Sequence, residues 1–95
     1  MRPYELMYLV QPTADEERLT AVSDRLKQTI GTLGGKVDKV TPPMRRRLAY
    51  EIAHHREGQY GVIEFSLPPA SARELERTIK LTEDILRHLV VRRDE

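Results

Sequence analysis

The chain contains no cysteine, which excludes a disulfide framework and a thiolate metal site and is compatible with a reducing compartment. It also contains no asparagine, and its only glutamines are Gln11, Gln28 and Gln59, so the carboxamides that position water in hydrolytic sites are scarce. No apolar run approaches the roughly 18 to 20 residues of a membrane span. No apolar core of signal-peptide length follows the basic start Met1-Arg2-Pro3 either. These absences predict a cytoplasmic protein without a membrane contact. The 95 residues, 39% hydrophobic and 33% charged, suit one globular domain over 1–95 with a single core between two packed layers.

The net charge of +1 conceals an asymmetry. The two segments that read as helices, 13–33 and 71–84, hold eight acidic and six basic residues, net −2, while the rest holds ten basic and seven acidic, net +3. The positive charge clusters at Arg45 to Arg47, at Arg56, and at Arg92 with Arg93. That distribution favours an anionic partner on the strand side of the domain. A merely solvated surface is the plainer reading of charge alone.

Six elements follow from periodicity. Residues 3–10 alternate, with Tyr4, Leu6, Tyr8 and Val10 on one side and Glu5, Met7 and Leu9 on the other, which predicts a strand. Thr13-Ala14-Asp15-Glu16 reads as a capping box before a helix whose apolar stripe is Leu19, Val22, Leu26, Ile30 and Leu33. Gly34-Gly35 stops it. A second strand begins at Lys36, is interrupted by Pro42-Pro43 as a bend or an edge, and resumes from Arg45 to Ala53. Within it Leu48, Tyr50 and Ile52 share one face and Arg45 and Arg47 the other. A five-residue loop, His54 to Gly58, leads to a third strand, Tyr60 to Leu67. Ser71 and Glu74 form a second capping box for a shorter helix carrying Leu75 and Ile79, and Leu86 to Arg92 closes the chain as a strand. The order β-α-β-β-α-β predicts an α+β, ferredoxin-like split βαβ fold: a four-stranded antiparallel sheet with both helices on one face.

Sites, not the fold, must decide function. The helix-free face is expected to carry Met7, Leu9, Tyr60 and Val62, an apolar surface for a protein partner or for stacked bases. Tyr4, Tyr8 and Tyr50 fall on the helix side by alternation and read as core, which leaves Tyr60 as the candidate platform. His54-His55 sits in a loop with no carboxylate or thiolate at chelating spacing, so no metal is expected.

The motifs Arg2-x-Tyr4-Glu5, Gly34-Gly35, Arg46-Arg47-Leu48-Ala49-Tyr50-x-Ile52, Gly58-x-Tyr60 and Leu86-Arg87-His88-Leu89-Val90-Val91-Arg92 together resemble the family of the sixth protein of the bacterial small ribosomal subunit. The basic pair leading into Leu-Ala-Tyr-x-Ile is the most specific of them. Met44 stands where that family usually has glycine, which bears on the bend before the strand. The resemblance implies a ribosomal structural component without catalytic activity, cofactor or small-molecule substrate. It implies binding to the central domain of 16S ribosomal RNA during assembly, with the eighteenth small-subunit protein as partner. By the same resemblance Arg2, Arg46, Arg47, Arg87 and Arg92 match the family's basic positions, and Arg45 adjoins them in the cluster. Guanidinium groups hold phosphate in parallel bonds and keep their charge, so they grip a backbone without reading bases.

Each candidate has a plainer reading. Arg45 to Arg47 would serve an edge strand as a guard against sheet-to-sheet aggregation, and Arg87 would pair with Glu83 or Asp84. A phosphatase on this fold needs a glycine-rich anion cradle before a helix, whereas the glycine pair here follows one. An RNA-recognition motif, binding single-stranded RNA, has the same element order. Its third strand carries two exposed rings, but Tyr60 and Phe65 fall on opposite faces here.

Overall fold

The computed structural model describes residues 1–52 and 54–93. Strand β1, Arg2–Val10, keeps the expected alternation: Tyr4, Leu6, Tyr8 and Val10 are buried among the core side chains. Helix α1, Glu16–Thr32, buries Val22, Leu26 and Ile30 against them, with Leu19 and Leu33 at the margin. Its start differs from the expected capping box. Asp15, not Thr13, is the N-cap, accepting from the Arg18 amide at 2.8 Å, and Glu16 and Glu17 place negative charge at the positive end of the helix.

The helix ends at the glycine pair as expected. The Gly35 amide bonds the Ile30 carbonyl at 2.8 Å and the Gly34 amide that of Gly31 at 3.1 Å, a paired closure that sets Gly34 at a φ of +86°. Strand β2, Lys36–Ile52, runs through Pro42-Pro43 without stopping. It tolerates them because it is an outer strand and because the register slips there, with Thr41 opposite Val62 and Met44 opposite Tyr60. Ala53, the expected end of this strand, lies outside the described residues.

Strand β3, His55–Leu67, begins at the second residue of the expected five-residue loop. Ile52 pairs with His55, which reduces the connection to positions 53 and 54, with His54 in a left-handed backbone at φ +68°. Helix α2, Ala72–Lys80, is shorter than the expected 71–84. Ser71 does not cap it through its side chain; its hydroxyl donates to the Leu33 carbonyl at 3.2 Å and so ties the two helix termini together. After Lys80 the Thr82 amide bonds Ile79 and the Ile85 amide bonds Thr82, a turn that delivers strand β4, Ile85–Arg92.

The sheet order is β2-β3-β1-β4 and every pairing is antiparallel. With the α1 stripe and with Leu75 and Ile79 of α2, one face of the sheet forms the core, and the other face is free of helices. The fold is the α+β, ferredoxin-like arrangement expected. No described helix is long and apolar enough to cross a membrane.

Candidate nucleic-acid interface

Beyond Val10 the hairpin of β2 and β3 outruns the sheet and becomes an arm. Its base is fixed by two directly opposed residues, Arg45 and Gln59. Arg45 donates to the Pro12 carbonyl at 2.9 Å, and buried Gln59 donates to that of Ala14 at 3.0 Å, so both hold the loop that precedes α1. Arg45 also stands 3.8 Å from Glu57. It is an anchor of the arm as much as a surface cation.

Arg46 and Arg47 differ from it. Both are exposed, and their guanidinium groups form no hydrogen bond or ion pair among the described residues. Between Arg47, which pairs with Glu57, and Ile52, which pairs with His55, the four residues 48–51 of β2 face Arg56 alone. This wide bulge corrects two expectations. The stripe of Leu48, Tyr50 and Ile52 does not enter the core, and Tyr50 is 60% exposed, because a bulge breaks the two-residue period on which its placement rested. Arg56 and the Tyr50 ring are brought to one hollow instead.

Arg87 reaches the same arm. It lies in β4 opposite Leu9 and therefore on the helix-free face. Its Nη1 donates to Tyr50 Oη at 2.7 Å, and its Cζ sits over the ring 5.8 Å from the centroid. Two strands separate β2 from β4 in the sheet, so the arm must curl across the helix-free face for these side chains to touch. Of Glu83 and Asp84, the two expected partners of Arg87, Asp84 instead takes Arg18 at 3.4 Å.

The curl also corrects the placement of Leu9. Expected on an open face, Leu9 is completely buried. Its side chain leans on Gly58, where any Cβ would collide with Leu9 Cδ1, and so packs into the bend of the arm. Met7, Tyr60 and Val62 do face outward, Met7 36% exposed and the other two half-buried. Leu89 and Val91 join them, 55% and 37% exposed, since they pair with Met7 and Glu5. The alternation of Leu89 and Val91 within 85–92 was the signal that could have found them. Phe65 lies on the helix side, stacked on Tyr4 with centroids 5.5 Å apart, leaving Tyr60 the only ring of β3 on the outer face.

Arg2 and Arg92 lie elsewhere. Arg2 opens β1 and pairs with Leu67, and Arg92 is opposite Tyr4, both at the far end of the sheet from the arm. Eight residue steps of strand separate Arg2 from Val10, roughly 26 Å. The sequence cluster of Arg92 with Arg93 also divides: Arg92 is exposed, while Arg93 is held by Glu64 at 3.1 Å and Asp38 at 3.0 Å. The structure therefore gathers Arg46, Arg47, Arg56 and Arg87 at one end and leaves Arg2 and Arg92 as a second locus. Residues 45–57 carry four arginines against two glutamates, so the arm has a net charge of +2. Among the described residues no group of three His, Cys, Asp or Glu side chains is placed to hold a metal ion.

The family model described as Ribosomal protein S6 matches residues 3–92 of this chain. The small ribosomal subunit protein bS6 of Desulforamulus reducens is 40% identical over 95 residues, covering all of both chains. The bS6 protein of Symbiobacterium thermophilum is 44% identical over 92 residues, covering 97% of each chain. Among solved structures, 30S ribosomal protein S6 from Thermotoga maritima is similar with a TM-score of 0.90 and 37% identity, over 97% of this chain and 87% of that one.

Proposed function

Because the chain belongs to the ribosomal protein S6 family, whose members are structural proteins of the small ribosomal subunit and not enzymes, we propose that its arm binds the central domain of 16S ribosomal RNA during assembly, with the eighteenth small-subunit protein as partner. The observation that carries this reading is the pair Arg46 and Arg47, exposed and uncommitted on an arm of net positive charge. Arg45 fixes the base of that arm, and Arg87 holds Tyr50 in its bulge. Arg2 and Arg92 supply a second contact at the far end of the sheet.

The cations are arranged to follow phosphates across a shape, as at a helical junction, instead of reading base edges. The protein partner takes the outer face at Met7, Tyr60 and Val62, extended by Leu89 and Val91. A shallow depression of about 140 Å³ between Met7, Tyr60, Arg87, His88 and Leu89 gives that face a place for an apolar side chain beside the arginine. Members of the family are part of the cytoplasmic ribosome, which supports this reading.

A lone domain with about four to six phosphate contacts binds RNA weakly at physiological salt, on the order of micromolar. The test is titration of a central-domain RNA fragment across a salt series, with and without the eighteenth protein. Tight binding only in the presence of the partner supports the assembly role, and no binding in either condition refutes it.

A further inference from the structure

We propose that the bulge at residues 48–51 is a one-nucleotide subsite, in which Arg47 and Arg56 hold a phosphate and the Tyr50 ring stacks on a base. The inference rests on the RNA-binding reading above and goes beyond it to one hollow and one ring. Four residues of β2 stand against Arg56 alone, so the excess chain serves no ladder pairing. It borders an open hollow of about 340 Å³ lined by Arg47, Leu48, Ala49, Tyr50, Glu51 and Arg56. That size lies at the lower end of small-ligand clefts, about 300 to 1,000 Å³.

The charges suit a single phosphodiester. The guanidinium groups of Arg47 and Arg56 form no hydrogen bond or ion pair among the described residues, so both forks are available. Glu51 in the same lining offsets one of them and disfavours a second phosphate. Tyr50 is 60% exposed, and Arg87 holds it at its hydroxyl. The ring is thereby oriented before any ligand arrives, which lowers the entropy lost on binding. Aromatic rings on a basic track are the common device for stacking bases without sequence preference. An exposed ring held by a cation, beside two more uncommitted cations, is that device in miniature.

The chain has no tryptophan, so Tyr50→Trp makes a unique fluorescent reporter in the hollow. Titrated with the central-domain RNA fragment in the presence of the eighteenth protein, its emission is expected to be quenched with the same midpoint as binding. Tyr50→Leu is expected to weaken binding on the order of tenfold and leave the salt slope unchanged. Arg47→Ala and Arg56→Ala are each expected to lower that slope by about one and to reduce the quenching of the reporter. Unchanged emission while the RNA binds, or Tyr50→Leu binding as tightly as wild type, overturns the subsite and leaves RNA binding intact. Quenching by the eighteenth protein alone also overturns it, assigning the hollow to a protein contact. If wild type binds no RNA, the broader reading fails together with this one.

Discussion

The guanidinium of Arg93, at the end of one outer strand, lies 3.0 Å from the carboxylate of Asp38 in the other outer strand. On the way it bonds Glu64 at 3.1 Å and the carbonyls of Tyr4 at 2.8 Å and Phe65 at 3.2 Å, so one side chain ties all four strands. Its groups are partly exposed, which tempers the ion pairs, but the bonds to carbonyls and to Glu64 are charge-assisted. Arg93→Ala is expected to lower stability by about 1–2 kcal/mol, read as a lower urea midpoint at unchanged slope. Arg93→Lys should recover little of the loss, since an ammonium cannot reproduce the fork.

Tyr8 gives the fold a dependence on high pH. The phenol is completely buried, and its oxygen has no well-formed hydrogen bond. Burial pushes its pKa up, and the nearby Ser23 hydroxyl offsets only part of that rise. The folded state therefore keeps the proton where the unfolded chain, with an ordinary phenol near 10, has lost it. This contribution to stability is fully present below pH 10 and is lost as pH rises toward the higher folded pKa. Tyr8→Phe should cost less than about 1 kcal/mol at pH 7, because it removes an unpaired buried hydroxyl, and should lose less stability than wild type above pH 10. Thermal melts of both proteins from pH 7 to 11 would decide; parallel curves would contradict the assignment.

Two glycines of β3 are filled by neighbours, with unequal tolerance. A Cβ at Gly61 would strike the Tyr8 ring, which is rigid and enclosed by core. A Cβ at Gly58 would meet the end of Leu9, a flexible side chain at the arm's bend. Gly61→Ala is expected to cost about 2–3 kcal/mol and Gly58→Ala about 1 kcal/mol. Combining Gly61→Ala with Tyr8→Leu should cost less than the two single changes added together, which a double-mutant cycle in urea measures.

The parts of this structure that were legible in the sequence are those set by an unbroken period. The stripes Tyr4, Leu6, Tyr8, Val10 and Val22, Leu26, Ile30 fixed one layer against another, and the glycine pair fixed the end of α1. The basic pair Arg46-Arg47 was visible because exposed charges need no tertiary context. What escaped was whatever depends on register. The bulge at 48–51 put Tyr50 outside, joined it to Arg87 across the sheet, and curled the arm over Leu9, and no local pattern encodes how many residues one strand sets against another. Asp15 supplanted Thr13 as the cap because both types cap well and the helix begins at Glu16. Arg93 escaped because its four partners come from three other strands.

The three consecutive arginines should separate by role. Arg45 spends its guanidinium on the Pro12 carbonyl and Glu57, whereas Arg46 and Arg47 have no such commitment among the described residues. Arg46→Ala with Arg47→Ala is therefore expected to lower the salt slope of RNA binding by about two and leave the melting temperature within error. Arg45→Ala should do the reverse, loosening the arm and lowering the melting temperature while changing the slope by less than one. Measuring both quantities on both variants distinguishes an RNA-binding surface from an edge-strand guard. A guard against sheet pairing would leave the slope untouched when Arg46 and Arg47 are removed and would instead reveal itself as concentration-dependent aggregation.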